Sequence, residues 1–425
     1  MFKSLILSAF ILMTAGQGGC RETHALKPGQ KEKLLQLRNE VSDNLTGNIL
    51  PWWTSMMVDN ENGGFYGRID GNEKVYPEAE KGGILNARIL WTYSAAYRVL
   101  GDTSCLRIAS RAYDYIIAHF IDRENGGAYM SVNYDGSPGN TRKQVYTNAF
   151  FIYALAEYGR ATGNKDAVDE AMKIFHTLER HAADSEENGY FEVFSKEWER
   201  IRERLIGEES DLTEKTMNTS LHVMEAYANL YRVSGDREVG ERLENMVRIF
   251  LDKIIDKNTS HLIPFLDRRW NSTARIDSYG HDIESSWLLY EAAGLLKNSE
   301  LTEKVTRAAI AIADSAAEGL REDGSMLTEL NHATGHVSPR RSWWEQAESV
   351  VGYLNAFEIT GDDKYLERSL KSWEYIKAHF IDRTNGGWYS YVAESGAPAG
   401  DKAGFWICPY HSGRMCMEVM ERVGE

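Results

Sequence analysis

Two histidines in this chain stand in the kind of setting that proton-transfer chemistry requires. His411 lies in the stretch Cys-Pro-Tyr-His-Ser-Gly-Arg, and His281 lies in Gly-His-Asp-Ile-Glu. Each precedes a residue that can cap a helix, Ser412 or Asp282, so we expect both histidines at a helix N-terminus. The positive end of a helix favours a neutral imidazole and a nearby anion. Removal of a proton next to a carbonyl group needs that combination.

A third histidine belongs to a polar stripe on an otherwise apolar helix. Asn218, His222 and Glu225 are spaced at i, i+4 and i+7, so they share one helix face. Such a stripe on a buried helix faces either a cavity or a buried partner. The alternative to an active-site role for His222 is a core histidine that Glu225 holds by a hydrogen bond.

The chain also carries residues that suit a sugar substrate. Glu284 follows His281 by about one helical turn and can orient a sugar ring or accept a hydroxyl proton. Arg68 follows a glycine turn and is the candidate donor to a carbonyl or enolate oxygen. Further candidates for stacking or hydrogen bonding are Tyr146, Asn148, Trp343, Trp344 and Trp406.

The other histidines are expected outside the site. His119 and His379 recur at equivalent places in an internal repeat, so we interpret them as structural residues at helix ends. We interpret the remaining histidines of the domain as surface residues: His176, His181, His261, His332 and His336.

An internal repeat indicates how the candidate residues are positioned. Residues 115–129 return nearly unchanged as residues 375–389, and both copies contain an Asp-x-x-x-Gly-Gly-aromatic turn. Looser copies of this turn begin at Asp59, Asp184, Asp256 and Arg321. The result is six turns at intervals of roughly sixty residues, which leaves room for two helices and a loop in each unit.

Between the turns, apolar residues recur at helical spacing, and strand-like alternation is short and always beside glycine. We therefore predict an all-α fold: an (α/α)6 barrel of six helical hairpins with short β-turn elements in the loops. This single domain spans residues 31–425, and the helix after His411 closes the ring against the first helix. An open helical solenoid is the alternative.

Residues 1–20 read as a signal peptide. Lys3 precedes an apolar run that is too short to cross a bilayer, and small residues follow it. The ending Gly-Gly-Cys resembles a lipoprotein cleavage site, which makes Cys20 the lipidated residue and residues 21–30 a short linker. We predict an exported lipoprotein, anchored to the membrane and facing the periplasm, with a cytoplasmic protein as the alternative.

The amino-acid composition indicates which classes of molecule the protein binds. A formal net charge of −15 argues against nucleic acid, because phosphate binding needs clustered Lys and Arg. The abundance of aromatic residues, with 11 Trp and 22 Tyr, fits an enzyme for neutral polar substrates such as sugars. Cys105, Cys408 and Cys416 are too few and too scattered for a disulfide framework. We expect a monomer with a small-molecule substrate.

Six ordered motifs resemble the N-acylglucosamine 2-epimerase family, and within it the cellobiose 2-epimerases. They are residues 62–68, 81–91, 217–227, 280–284, 343–348 and 408–414, so the resemblance covers nearly all of the chain after its leader. It implies an (α/α)6 barrel that epimerises C2 of the reducing-end hexose of a β-1,4-linked disaccharide, converting cellobiose to glucosyl-mannose, without metal or cofactor.

The resemblance also implies roles for the candidate residues. His281 and His411 match the acid/base pair, and His222 matches the third histidine of the site. The positions that match substrate contacts are Arg68, Tyr146, Asn218, Glu284, Trp406 and one of Trp343 and Trp344.

Several alternatives stay open. Within the family they are a mannobiose 2-epimerase and an aldose–ketose isomerase. A glycoside hydrolase needs two opposed carboxylates separated by ~5–10 Å, and its candidates are Glu284, Glu345 and Glu348. A glycan-binding lipoprotein would use the tryptophans alone, and a zinc site would use the three histidines.

Overall fold

The computed structural model describes residues 26–202 and 212–424. Within these ranges the chain forms thirteen α-helices: α1 (Pro28–Asn44), α2 (Leu50–Met56), α3 (Gly83–Leu100), α4 (Thr103–Tyr115), α5 (Val145–Thr162), α6 (Lys165–His181), α7 (Met217–Ser234), α8 (Arg237–Ile249), α9 (Tyr279–Leu295), α10 (Ser299–Ala316), α11 (Trp343–Thr360), α12 (Asp363–His379) and α13 (Tyr410–Arg422). Single π-helical turns follow three of them, at Leu45–Ile49, Ile116–Phe120 and Phe250–Ile254.

Short antiparallel strands lie between the helices: β1 (Lys81–Gly82), β2 (Ser131–Val132), β3 (Lys143–Gln144), β4 (Val193–Phe194), β5 (Lys215–Thr216), β6 (Phe265–Leu266), β7 (Ile276–Ser278), β8 (Glu329–Asn331), β9 (His336–Val337), β10 (Arg341–Ser342), β11 (Tyr391–Val392) and β12 (Pro398–Ala399). They pair as β1 with β2, β3 with β4, β5 with β6, β7–β8–β9 and β10–β11–β12.

Six helices form a closed inner ring. Helices α3, α5, α7, α9, α11 and α13 contact one another in this order, and α13 returns to α3. One outer helix packs on each inner helix, in the pairs α3 with α4, α5 with α6, α7 with α8, α9 with α10, α11 with α12, and α13 with α1. The sixth pair joins the last helix to the first, so the predicted all-α (α/α)6 barrel is confirmed.

Similar short loops join the inner helices to the outer ones. Four inner helices end at a glycine with a left-handed φ of 61–73°, at Gly101, Gly163, Gly235 and Gly361. The next residue is Asp or Asn, and its side chain caps the following outer helix. Because these loops are short, the two helices of each of these four pairs are antiparallel, and the strands and longer turns lie at the opposite end of the barrel.

All six predicted turns are present at that end. Each is closed by an antiparallel bridge, in the pairs 58 with 65, 121 with 128, 183 with 190, 255 with 262, 320 with 326, and 381 with 388. The glycines of the turns are required by close packing as well as by φ. At Gly127, with φ of 69°, a Cβ atom would lie 2.6 Å from the ring of Trp198.

Four of the turns are tied to a nearby segment by a buried lysine. The pairs are Asp59 with Lys81, Asp122 with Lys143, Asp184 with Lys215, and Asp382 with Lys402, at N–O distances of 2.6–3.1 Å. Removing one partner of such a pair leaves a buried charge alone and costs about 3–5 kcal/mol. The aspartate of the repeat is therefore an anchor that holds the turn over the inner helix.

Ion pairs between inner helices form a layer at the other end of the barrel, which we call the floor. Its pairs are Arg98 of α3 with Glu157 of α5, Arg232 of α7 with Glu291 of α9, and Arg422 of α13 with Glu358 of α11. All six inner helices therefore contribute charged side chains that join their C-terminal ends.

Helix α1 begins at this floor end. Lys27, just before Pro28, pairs with Asp363 at the start of α12, at 2.9 Å. Residues 28–30 of the predicted linker are therefore helical, and the domain begins slightly earlier than expected. The predicted signal peptide and Cys20 lie outside the described residues. In the part of the chain that the structure describes, no helix is long and apolar enough to span a membrane.

Candidate active site

Three inner helices bring the three histidines together inside the barrel. His222 of α7 contacts the ring of Tyr146, with the ring centroids 5.0 Å apart. His281 of α9 and His411 of α13 both pack against Trp344, at centroid distances of 4.8 and 5.7 Å. The indole therefore links the two histidines that the sequence assigned to proton transfer.

The two helices that carry these histidines begin earlier than the sequence predicted. Helix α9 begins at Tyr279 and α13 at Tyr410, so Asp282 and Ser412 lie inside the helices and are not their caps. The carboxylate of Asp282 binds the side chain of His261 instead, at 2.7 Å. The expected position near a helix N-terminus nevertheless holds, because both histidines lie in a first turn.

Two of the histidines form dyads with buried carboxylates. His222 donates from Nδ1 to Glu225 at 2.8 Å, and His411 donates from Nδ1 to Oε1 of Glu348 at 2.7 Å. That Oε1 atom also accepts from Arg414, so the proton of the His411 hydrogen bond belongs to Nδ1. In this arrangement Nε2 of His411 is unprotonated and can accept a proton.

His281 has a different partner. Its Nδ1 atom lies 2.7 Å from the hydroxyl oxygen of Ser278, which can donate or accept. Its tautomer can therefore change without a change of partner. Gly280 lets Trp344 come close, because a Cβ atom there would lie 2.7 Å from the indole.

Burial keeps all three histidines neutral in the free protein. It lowers the pKa of His281 to about 3, and the nearby imidazole of His222 acts in the same direction because two adjacent imidazoles resist protonation together. Burial together with the cations of Arg88 and Arg414 lowers the pKa of His411 well below its ordinary value. Burial also lowers the pKa of His222, although Glu225 opposes the shift.

Arg414 is the electrostatic centre of the site. Its guanidinium, 1% exposed, donates to Glu225 from Nη1 and to Glu284 and Glu348 from Nη2, the last two at 2.6 and 2.7 Å. Burial raises the pKa of Glu284 and Glu348, and Arg414 only partly offsets this shift. At Glu225 burial also acts upward, but Arg414 and His222 outweigh it and lower the pKa to about 2. One cation thus connects both histidine dyads.

Arg88 is the buried arginine of the site. Arg68 is exposed and pairs with Asp401 at 2.7 Å, and its contact with the substrate stays a prediction. Arg88 is buried, donates to the hydroxyl of Tyr146 at 2.9 Å and packs over Phe150. Its Nε atom has no hydrogen-bond partner among the described residues. This guanidinium is suited to a developing oxyanion.

The other predicted sugar contacts divide into two groups. Tyr146, Trp343 and Trp344 contact the histidines directly, and Trp406 packs on Tyr146 at a centroid distance of 5.9 Å. Asn218 lies in the first turn of the helix that carries His222, and its Oδ1 is buried without a partner in the described part of the chain. Glu284 is present but bound to Arg414. Asn148 belongs to the fold, because it bonds to the backbone of Ala128.

Glu284 and Glu348 are not arranged as the opposed pair that hydrolysis requires. Glu284 and Glu348 accept from the same Nη2 atom of Arg414, so they lie side by side and not on opposite sides of a substrate. Within residues 26–202 and 212–424, Glu284, Glu348 and His411 form the one group whose ligand atoms lie within 4.8 Å of one another. Arg414 already supplies the cation there, and the three histidines form no such group.

Sequence reasoning missed four residues of this cluster as site residues: Arg88, Glu348, Arg414 and Tyr410, whose hydroxyl donates to Glu225. A signal existed for Arg88, since a cation stands inside the apolar helix Ile84–Leu100. Arg414 follows His411 by three residues, which places both on one helix face. From the sequence, Glu348 is a candidate only as a carboxylate for hydrolysis. In the structure it is the hydrogen-bond partner of His411.

Comparisons with known proteins agree with this geometry. The N-acylglucosamine 2-epimerase (GlcNAc 2-epimerase) family matches residues 64–412. A cellobiose 2-epimerase from Bacteroides fragilis is 48% identical over 386 residues, which cover 90% of this chain and 98% of that protein. A cellobiose 2-epimerase from Ruminococcus albus is 39% identical over 387 residues, with coverage of 90% and 98%.

A solved structure agrees as well. That of a cellobiose 2-epimerase from Bacillus thermoamylovorans superposes with a TM-score of 0.87 at 40% identity, covering 90% of this chain and 98% of its own. The matched family segment includes the three histidines of the cluster.

Proposed function

The chain belongs to the N-acylglucosamine 2-epimerase family. On that premise we propose that it epimerises C2 of the reducing-end hexose of a β-1,4-linked disaccharide, and that its main substrate is cellobiose. The observation that carries the proposal is the arrangement of His281 and His411, which approach one indole from two different helices with different Nδ1 partners. Two separate proton carriers are what inversion at one carbon requires.

The reaction begins with opening of the sugar ring, because C2 is acidic only beside a free aldehyde. Removal of the C2 proton leaves an enediolate with negative charge on O1 and O2. Arg88 supplies a buried guanidinium for this charge, with Nε and the hydroxyl-bound Nη2 on the same fork. His222 assists proton movement on the hydroxyl oxygens, since its Nδ1 proton is held by Glu225 and its Nε2 is unprotonated.

The proton balance follows from the two different partners. When His281 is the base, its neutral imidazole accepts the C2 proton and becomes an imidazolium that still donates from Nδ1 to Ser278. On the other face His411 first takes up a proton from solvent at Nε2, and its Nδ1 proton passes to Glu348. His411 then gives the Nε2 proton to C2 while Nδ1 takes its proton back from Glu348, which restores the resting arrangement of the pair. The reverse reaction returns both protons along the same bonds. The upward pKa shift that burial gives Glu348 supports this storage of a proton.

The competing activities differ in where the proton returns or in which bond breaks. Return of the proton to C1 gives a ketose, so some aldose–ketose isomerisation is expected as a side reaction. A preference for mannobiose over cellobiose is the nearest alternative within the family. Hydrolysis is disfavoured because Glu284 and Glu348 share one Arg414 nitrogen.

The test follows deuterium at C2. The protein is incubated with cellobiose or β-1,4-mannobiose in deuterium oxide, and NMR then identifies the products. We expect glucosyl-mannose from cellobiose with deuterium at C2, and no glucosyl-mannose from His281→Ala or His411→Ala variants that remain folded. Full activity in either variant overturns the mechanism, and release of monosaccharide overturns the function.

We propose in addition that the enzyme is exported, lipidated at Cys20 and monomeric. The support for export is the charged start, short apolar run and Gly-Gly-Cys ending of residues 1–20. Fractionation of cells that express the whole chain, with Cys20→Ser as the comparison, tests the anchor. Membrane association that survives this substitution contradicts it. Sedimentation of the chain without its first 25 residues tests the oligomeric state.

A further inference from the structure

The fourth repeat turn, which begins at Asp256, is anchored by an ion pair whose charges are reversed relative to the Asp–Lys pairs of four other turns. Lys81, Lys143 and Lys215 each stand two residues before the start of an inner helix, and Asp277 holds that position before α9. The cation comes from the turn itself, where His261 is 3% exposed. The sequence interpretation of His261 as a surface residue is therefore wrong.

Carboxylates surround the His261 ring. It donates from Nδ1 to Oδ2 of Asp282 at 2.7 Å, and its Nε2 lies 3.8 Å from Asp277 and 3.6 Å from Glu318. The remaining ionisable neighbour that packs on the ring is Tyr279, at a centroid distance of 5.9 Å. These groups come from α9, from β7 and from the segment after α10. Asp277 is shared with a second histidine, because the Nε2 atom of His332 lies 2.6 Å from its Oδ2.

Asp282 carries this anchor into the active site. Its side chain is fully buried, and its Oδ1 accepts from the backbone N–H of Leu262 at 2.8 Å. Asp282 directly follows His281 at the start of α9. His261, which belongs to the fourth repeat turn, therefore holds the outer side of this part of the helix, and His281 lies on its inner side. His222 and His411 are held by carboxylates, whereas His281 has a hydroxyl as its own partner.

We propose that His261 is a positioning residue for His281, and that its imidazolium makes this placement sensitive to pH. The inference rests on the proposed function, because it concerns a proton carrier of that reaction. Burial acts to lower the pKa of His261, but the hydrogen bond to Asp282 and the charges of Asp277 and Glu318 outweigh it and raise the pKa to about 9. The stabilising charge is therefore complete below the ordinary histidine pKa of about 6.5 and is lost as pH rises through about 9.

Two substitutions separate charge from shape. In His261→Asn the cation is lost, and we expect kcat to fall about tenfold with KM changed less than about twofold, because a small misplacement of His281 affects the proton-transfer step. In His261→Lys the cation persists above pH 9, as in the other anchors, so kcat should no longer fall through that range as it does in the wild type. His119→Asn is the matched control, since His119 lies at another turn and contacts a backbone carbonyl, that of Gly136.

A readout without substrate keeps this inference separate from the function. With labelled histidines, NMR should show the His281 ring resonances shifted in His261→Asn and unchanged in His119→Asn. If the wild type epimerises no sugar, the proposed function fails, while these resonances still decide the positioning role. Lower thermal stability with unchanged kcat and unchanged His281 resonances overturns it. If His261→Asn does not fold, a wild-type His261 titration midpoint below pH 7 overturns it.

Discussion

His411 and Arg414 bind the same oxygen atom, Oε1 of Glu348, each at 2.7 Å. Both residues lie on α13, one turn apart, so the helix that supplies the proton carrier also supplies the cation that fixes its partner. The same guanidinium reaches Glu225, the partner of His222. A change in the charge of the His411–Glu348 dyad therefore alters the electrostatics of the His222–Glu225 dyad through the side chain of Arg414.

The first prediction concerns Glu348. Replacement by Gln keeps the size of the side chain but removes the group that exchanges a proton with His411, so kcat should fall about 100-fold with little change in KM. Glu157→Gln is the matched control, because Glu157 is another buried carboxylate bound to an arginine, but in the floor. Steady-state kinetics on cellobiose checks both. Equal losses in the two variants contradict a specific role for Glu348.

The second prediction concerns Arg414. Arg414→Met leaves three buried carboxylates without their cation, so the free energy of unfolding should fall by about 3–5 kcal/mol or more. The loss should shrink toward acidic pH, because protonation removes the unpaired charges. Arg414→Lys restores the charge but not the two-armed geometry, so it should recover stability more than activity. Urea denaturation at two pH values measures this, and a pH-independent loss argues against the charge explanation.

The third prediction separates two arginines. Arg88→Met should lower kcat about 100- to 1,000-fold, as expected for loss of a donor to a developing oxyanion. Arg68→Met should leave kcat nearly unchanged, because Arg68 pairs with Asp401 at the surface. Kinetics of both variants on one substrate makes the comparison. A large loss in Arg68→Met alone returns the oxyanion role to the residue that the sequence first suggested.

The fourth prediction concerns protonation of the free protein. Burial lowers the pKa of His222, His281 and His411, so all three stay neutral at pH values where an exposed histidine is protonated. Titration of labelled histidine rings by NMR should show no transition near pH 6.5 for these three. A transition of His281 near pH 6.5 contradicts its burial.

The fifth prediction concerns the anchors of the turns. Lys143→Met leaves Asp122 buried and unpaired, which should cost about 3–5 kcal/mol of unfolding free energy. Lys304, exposed on α10 and paired with Glu300, is the control, and its replacement by Met should be without measurable effect. Thermal denaturation distinguishes the two. If both variants unfold alike, the lysine anchors are not what stabilises the turns.

The fold could be predicted because its evidence is repeated along the chain. One turn recurs at six places, as Asp-x-x-x-Gly-Gly in three of them and in looser form in the others. With helical spacing between the turns, this recurrence indicates the number of units and hence the closed ring. The helix starts were predicted less well. At α9 and α13 the residues that look like caps, Asp282 and Ser412, follow the true start, because tertiary contacts such as that of Asp282 with His261 use the polar side chain elsewhere.

The candidate site was predictable in part for a related reason. His222, His281 and His411 could be recognised from the sequence because each stands with polar residues in otherwise apolar surroundings. Arg68 and Arg88 could not be distinguished in this way, because they differ only in which of them the fold buries. Residues such as Glu348 and Arg414 gain their meaning from partners more than sixty residues away. His261 could not be distinguished from a surface histidine, since its acidic partners converge only after three elements pack together.

Helix α1 begins beside α12, at the floor of the barrel, and this position bears on the orientation of the active site. Lys27 and the start of α1 therefore lie at the end of the barrel opposite to His281 and His411. If Cys20 carries the proposed lipid, we expect the floor of the barrel to face the bilayer and the site to face away from it, so that a disaccharide reaches the site from the aqueous side.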